Sequence, residues 1–231
     1  MAVVTIIIGK SGAGKTSSIR TMDGRDDVMI IRPSKKRLQF RSGFKEWDAD
    51  KSSGDMFFEN IGTDVPYALE TFAKRGKKII IIEDSTFYMT DFFMKRAKEK
   101  GFEKFTNLGS MYYNILKAAE NLDEDIRVYI VNHIEDDASG YKKVKTIGKL
   151  LDDKLDIPAL VGIVLEARII QKKNVFQTNK ETDFDISKTP LDMFMDKFIP
   201  NDLDMVDKTI CEYYDIDRLD TPENAYNKVK G

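Results

Sequence analysis

Along the chain, short runs of β-branched and apolar residues alternate with longer stretches whose apolar positions recur at helical spacing. The runs at residues 2–8, 28–31, 56–60, 79–82, 126–131 and 159–170 have strand length, and residues 174–178 follow the last at hairpin distance. Several are apolar at every position rather than every second one, which predicts strands buried on both faces. Helical spacing predicts helices at 16–22, 65–75, 88–100, 108–122, 148–155 and 203–214. Thr63 or Asp64 stands near the start of the second and Gly76 closes it, while Asn201 and Asp202 cap the last. Residues 32–47, 52–55, 101–107 and 180–190 read as loops, 134–146 as a mobile hairpin, and the final residues as frayed. The alternation predicts a single α/β domain over residues 1–231. Its mainly parallel sheet is flanked by helices and followed by a C-terminal β-hairpin and helix. The core covers about 1–180 and an acidic extension about 181–231.

The first run empties straight into a glycine-rich loop that satisfies G-x-x-x-x-G-K-[ST] at every fixed position. Glycines at 9, 12 and 14 let the backbone turn its N–H groups inward around a phosphate. Lys15 supplies a compact positive charge for β- and γ-phosphates, and Thr16 offers a hydroxyl to Mg²⁺. The helix expected to follow turns its positive end toward the same phosphates. The pattern therefore predicts a P-loop binding ATP through Gly9, Lys10, Ser11, Gly12, Ala13, Gly14, Lys15, Thr16 and Ser17. A plain glycine-rich turn explains the glycines but not Lys15 and Thr16.

Four consecutive isoleucines, 79–82, end in Glu83 and Asp84. An apolar strand closing on a carboxylate downstream of such a loop carries the Walker B pattern, in which the acid holds Mg²⁺. The strand at 126–131 ends in Asn132 and His133, the only histidine. No Cys or His partner stands at ligand spacing from it, so a metal role is not expected.

Charge and composition narrow the partners. A net charge of −2 hides an asymmetry: residues 181–220 carry twelve acids and four bases, a net −8 that leaves the remainder at +6. In the loop 32–47, Arg32, Lys35, Lys36, Arg37, Arg41 and Lys45 alternate with Phe40, Phe44 and Trp47. This composition suits a packed loop, a lid over a nucleotide, or a groove for single-stranded nucleic acid, in which rings stack on bases and cations meet the backbone. Lys36, Arg37 and Arg41 are the nucleic-acid candidates here; Tyr141, Lys142, Lys143 and Lys145 are those of the 134–146 hairpin. No apolar run approaches the ~20 residues of a membrane span. Met1 leads directly into the first strand, so no signal segment is expected. Cys211 is the only cysteine, which fits a reducing cytoplasm.

The chain resembles phage-encoded P-loop ATP-binding proteins of the AAA/RecA-core group, including the Sak-type single-strand annealing ATPases. The matching segments are 9–16, 36–41, 82–85, 131–133 with the helix after Gly148, and 199–203, spread over most of the chain. Only the first is highly specific, and family members often show two aspartates where this chain has Glu83 and Asp84. The resemblance implies a RecA-like P-loop NTPase fold. It also implies Mg²⁺-dependent ATP hydrolysis and a role in phage recombination or replication, beside single-stranded DNA and a single-strand binding protein in the host cytoplasm. It assigns Lys15 to the phosphates, Asp84 with Thr16 to Mg²⁺, and Glu83 to the attacking water, with Glu59 as a second candidate. His133 becomes a γ-phosphate sensor with Asn132 as the alternative. A homo-oligomer whose neighbour supplies a cation to each site is expected. Two other functions stay open: a nucleotide or nucleoside kinase, and a non-catalytic scaffold gated by ATP.

Overall fold

In the computed structural model, residues 1–137, 139–147 and 155–218 are described. The sheet is built from β1 (Val3–Gly9), β2 (Val28–Arg32), β3 (Met56–Phe58), β4 (Ile79–Ile82), β5 (Arg127–Asp136), β7 (Ile163–Ile170), β8 (Lys173–Gln177) and β9 (Phe198–Pro200). Their order across the sheet is β3-β2-β4-β5-β1-β7-β8-β9, and β6 (Lys142–Val144) pairs with the far end of β5. From β3 to β7 the strands run parallel; β8 and β9 add antiparallel at one edge. Parallel strands all end at the same side of the sheet. The ends of β1, β2, β4 and β5 therefore meet at one edge, where ligands of open α/β sheets bind.

The alternation along each strand divides two cores. Ile6, Ile8, Met29, Ile31, Ile80, Ile82, Val128 and Ile130 face α1 (Val65–Lys74), α2 (Thr86–Lys95) and α3 (Glu103–Glu120). Ile7, Val28, Ile30, Ile79, Ile81, Tyr129 and Val131 face the segment Thr16–Met22 and α4 (Leu203–Tyr214). Every residue of Ile79–Ile82 is fully buried, as expected for a strand covered on both faces. Asp202 caps α4 by accepting from the Met205 amide at 3.0 Å.

Several expected boundaries are corrected. Thr16–Met22 is a 3₁₀ helix. The two middle helices begin earlier than expected, at Thr86 and Glu103. The expected strand 159–170 is divided, because Ile157–Leu160 forms a 3₁₀ turn and only Ile163–Ile170 is extended. β5 does not stop before Asn132 and His133 but continues to Asp136. Its last residues gain new backbone partners from β6, in the pairs Ile134↔Val144, Glu135↔Lys143 and Asp136↔Lys142. The described residues of the hairpin thus extend the sheet at the tip of β5. β9 has no counterpart in the sequence reading, and the helix expected over 148–155 lies outside the described residues but for Leu155.

α4 is anchored by charge as well as by apolar contact. Asp207, fully buried, accepts from Arg127 Nε at 3.0 Å, Tyr129 Oη at 2.8 Å and Arg218 Nε at 3.0 Å. Removing one partner of a buried pair strands the other charge, at a cost of about 3–5 kcal/mol. Asp207→Ala should lower the unfolding free energy by about that amount, read by urea titration. A loss below about 1 kcal/mol would show the pair to be dispensable.

Candidate functional site

The glycine-rich loop leaves the end of β1 and folds back under itself. At Gly9 there is no room for a side chain, since a Cβ would sit 2.8 Å from the Ala167 carbonyl oxygen on β7. Gly14 lies in the left-handed region at φ +99°, where a side chain costs about 1 kcal/mol or more. The amides of Gly12, Gly14, Lys15 and Thr16 bond to no carbonyl among the described residues, so they remain available to a ligand. Lys15 Nζ curls over the loop, donating to the carbonyls of Gly9 at 2.7 Å and Lys10 at 3.0 Å. Burial pushes the Lys15 ammonium down to about 8, against the opposing pull of Asp84 and Glu83. A cation held this way gains from any anion that takes over its contacts.

Glu83 is the carboxylate nearest Thr16: the Thr16 hydroxyl donates to its Oε1 at 2.9 Å. Its other oxygen accepts from Arg32 at the end of β2, in an ion pair both of whose side chains are buried. The register explains the pairing, because Ile31 stands opposite Ile82 and each chain's next residue emerges at the same edge. Asp84 turns away with φ +52°, a conformation aspartate tolerates better than most residues. Its carboxylate lies 3.5 Å from His133 Nε2. Burial works to raise the Asp84 carboxyl, but His133, Lys36 and Lys15 outweigh it and hold it below its ordinary value. The other ring nitrogen of His133, Nδ1, lies 3.5 Å from Lys15 Nζ.

Loop, acids and histidine enclose a cavity of about 130 Å³, roofed by Lys36, Arg37 and Gln39 and walled on one side by Phe87. Oxygen donors from Thr16 and Glu83 side by side, with Asp84 on the same wall, are the hard ligands that Mg²⁺ takes. Glycine-loop amides and Lys15 complement a phosphate.

The structure brings most of the expected residues together, but not all. Lys10 stands at the rim in an ion pair with Asp136 at 2.6 Å. Half-buried Ser17 gives its carbonyl to Arg20. Asn132 faces away, buried among Ser85 and Tyr112, from which its Oδ1 accepts at 2.8 and 2.6 Å, so His133 alone of that pair reaches the cavity. Glu59 caps its own turn by accepting from the Ile61 amide and stays outside. Arg41 is exposed and lines no part of the cavity.

In the hairpin, the nucleic-acid candidate Lys142 is engaged within the protein. It donates to Glu166 at 2.8 Å and Asp185 at 2.5 Å with 16% of its side chain exposed. Lys143 pairs with Glu135 at 3.2 Å, and Lys145 is exposed. Tyr141 packs its ring on Phe184 at 4.8 Å, and both are about half exposed.

Arg32, Gln39 and Phe87 join the site without having been singled out for it in the sequence. For Arg32 a signal existed: it closes an apolar run directly before Pro33 and could be matched to the acids closing the next one. A scan of protein-family models gives no match, and no curated protein matches the chain.

A polyanion bound in the loop should raise the Lys15 pKa from its free value of about 8. Binding of inorganic tripolyphosphate near pH 9 should therefore be accompanied by proton uptake at Lys15, and its affinity should fall as pH rises through about 8. Calorimetry in buffers of different ionisation enthalpy measures the uptake. Its persistence in Lys15→Met would remove Lys15 from the contact.

Proposed function

We propose that this protein is a Mg²⁺-dependent ATPase of the P-loop, RecA-like kind. The observation that carries the reading is the convergence of the Lys15 ammonium, the Thr16 hydroxyl and the Glu83 carboxylate at the ends of β1 and β4. Support also comes from the sheet order: β5 stands between β1 and β4 and delivers His133 between Lys15 and Asp84. In nucleoside kinases the acidic strand usually adjoins the P-loop strand, so this order weighs against that alternative.

On this reading the two acids exchange the roles expected from sequence. Glu83, bonded to Thr16 and held by Arg32, sits where a magnesium-holding carboxylate is needed. Bound there, Mg²⁺ would neutralise phosphate charge and orient the terminal phosphate. Asp84 is the acid left for the water, with its carboxylate oriented by the His133 ring. Lys15 leaves the carbonyls of Gly9 and Lys10 for the phosphates, and the roof of Lys36 and Arg37 adds positive charge as negative charge spreads over the transferred group.

Single-stranded DNA belongs to the proposal through the exposed Tyr141–Phe184 pair beside Lys143 and Lys145, a ring surface among cations. A homo-oligomer with shared sites and a single-strand binding protein as partner extend it.

Steady-state hydrolysis of ATP with Mg²⁺, with and without single-stranded DNA across a salt series, tests both parts. Lys15→Ala and Glu83→Gln should each lower turnover by about 100-fold or more, with the circular dichroism of the fold unchanged for Lys15→Ala. Stimulation by DNA should fade as salt rises and weaken in Tyr141→Ala. Wild-type turnover by Lys15→Ala would refute the ATPase reading; hydrolysis indifferent to DNA would refute the DNA part alone.

A further inference from the structure

The site described so far accounts for only one end of a nucleotide. Its cavity of about 130 Å³ is well below the ~300–1,000 Å³ of pockets that enclose whole ligands of that size. The groups around it have a clear direction. His133 of β5, Glu83 and Asp84 directly after β4, and the roof of Lys36 and Arg37 from the loop after β2 all come from strands on one side of β1. A triphosphate whose terminal group meets these residues must carry its nucleoside out over the other side of β1, where β7 and β8 lie.

That side presents a shaped surface. Gly9 touches the β7 backbone at Ala167, and the side chain of Asn174 on β8 lies over Gly14, with atoms 2.8–3.1 Å from where a Cβ would be. Asn174 is the cross-strand partner of Ile169, so the two side chains stand on the same face of the hairpin. Two residues before Ile169, Ala167 lies on that same face and belongs to the core beneath the loop, as does its partner Phe176. The face that is buried at Ala167 and Phe176 thus continues beyond the loop as Ile169 and Asn174. There Ile169 is 58% exposed, an apolar β-branched side chain with no core to fill. The tight two-residue turn, with Gln171 and Lys172 both at positive φ, ends the hairpin directly beyond them.

We infer that Ile169 and Asn174 form the nucleoside platform of this site: the base lies flat on Ile169 and the Asn174 amide bonds to a polar edge of the nucleoside. The inference rests on the ATP-binding reading above and adds a part of the ligand that the glycine loop does not contact. The platform binds through the nucleoside alone. An inorganic polyphosphate should occupy the loop without sensing it.

The test compares ATP with inorganic tripolyphosphate, both with Mg²⁺, by calorimetry on the wild-type chain, Asn174→Ala, Ile169→Ser, the double variant and Lys15→Ala. Wild type should bind ATP more tightly than tripolyphosphate. Each platform substitution should weaken ATP by about five- to ten-fold while leaving tripolyphosphate unchanged, and Lys15→Ala should weaken both. Tripolyphosphate binding reports intact fold within the same sample, so a loss confined to ATP is not unfolding. If the double variant keeps the wild-type ratio of the two affinities, the platform is refuted and the phosphate loop stands. If the wild type binds neither ligand, the ATP-binding reading itself falls, and the platform with it.

Discussion

A carboxylate buried between a guanidinium and a hydroxyl holds the candidate site together. Glu83 is almost inaccessible, and an ionised carboxylate in that position is tolerable only if its oxygens are occupied. Arg32 takes one and Thr16 the other. Each of the three comes from a different strand end, so the contact ties β2, β4 and the loop after β1 into a single geometry. The register makes this possible. Ile31↔Ile82 sets Arg32 level with Glu83, and Gly9↔His133 sets the histidine level with the start of the loop. A slip of one residue in either pair would turn the side chain to the opposite face of the sheet. The isoleucines buried on both sides of β4 resist such a slip.

The two ends of the sheet use charge in opposite ways. At the end away from the site, Arg25, Arg127 and Arg218 are matched by Asp27, Asp204 and Asp207, with Arg127 and Asp207 fully enclosed. That cluster closes the structure by joining α4 to the sheet. At the other end the cations are less matched: Lys15 borrows carbonyls of its own loop, and Lys36 and Arg37 face a cavity. Closed charge contributes to stability through pairs already made, whereas an incompletely matched cation leaves interaction energy to be realised on binding an anion.

The strands of the central sheet were legible because burial on both faces demands unbroken apolar runs, and the runs at 28–31 and 79–82 lie within a residue of the observed strands. Boundaries failed where pairing depends on a distant segment. β5 runs on through Asn132 and His133 because β6 pairs with its tip, and nothing within 126–136 announces that partner. The ion pairs of Lys142 were not legible because its acceptors, Glu166 and Asp185, lie far along the chain. In the site, the glycine loop and the two acids were legible from local spacing. Which acid meets Thr16 was not, since it turns on the left-handed backbone of Asp84. Asn174 carried no signal of its own; only the closing of β8 against β7 brings it over Gly14.

The extension of β5 has a consequence for the histidine. His133 is held on one strand edge by β1 and just beyond by the hairpin, where the Lys145 amide donates to its carbonyl at 2.8 Å and Ile134 pairs with Val144. The hairpin is in turn locked by Lys142 between Glu166 and Asp185, and Glu166 pairs in register with Ile8 of β1. Contacts therefore run from the hairpin back to the strand that leads into the glycine loop and close on themselves. A closed circuit of this kind transmits displacement poorly unless one link has a second stable arrangement. The links with the most room for one are the longest polar contacts in it, His133 to Asp84 and His133 to Lys15, each 3.5 Å. Both face the cavity, so a bound anion that draws Lys15 away changes the partners of His133 while the rest of the circuit stays bonded. Among the described residues of the extended hairpin, His133 is the one that lines the cavity.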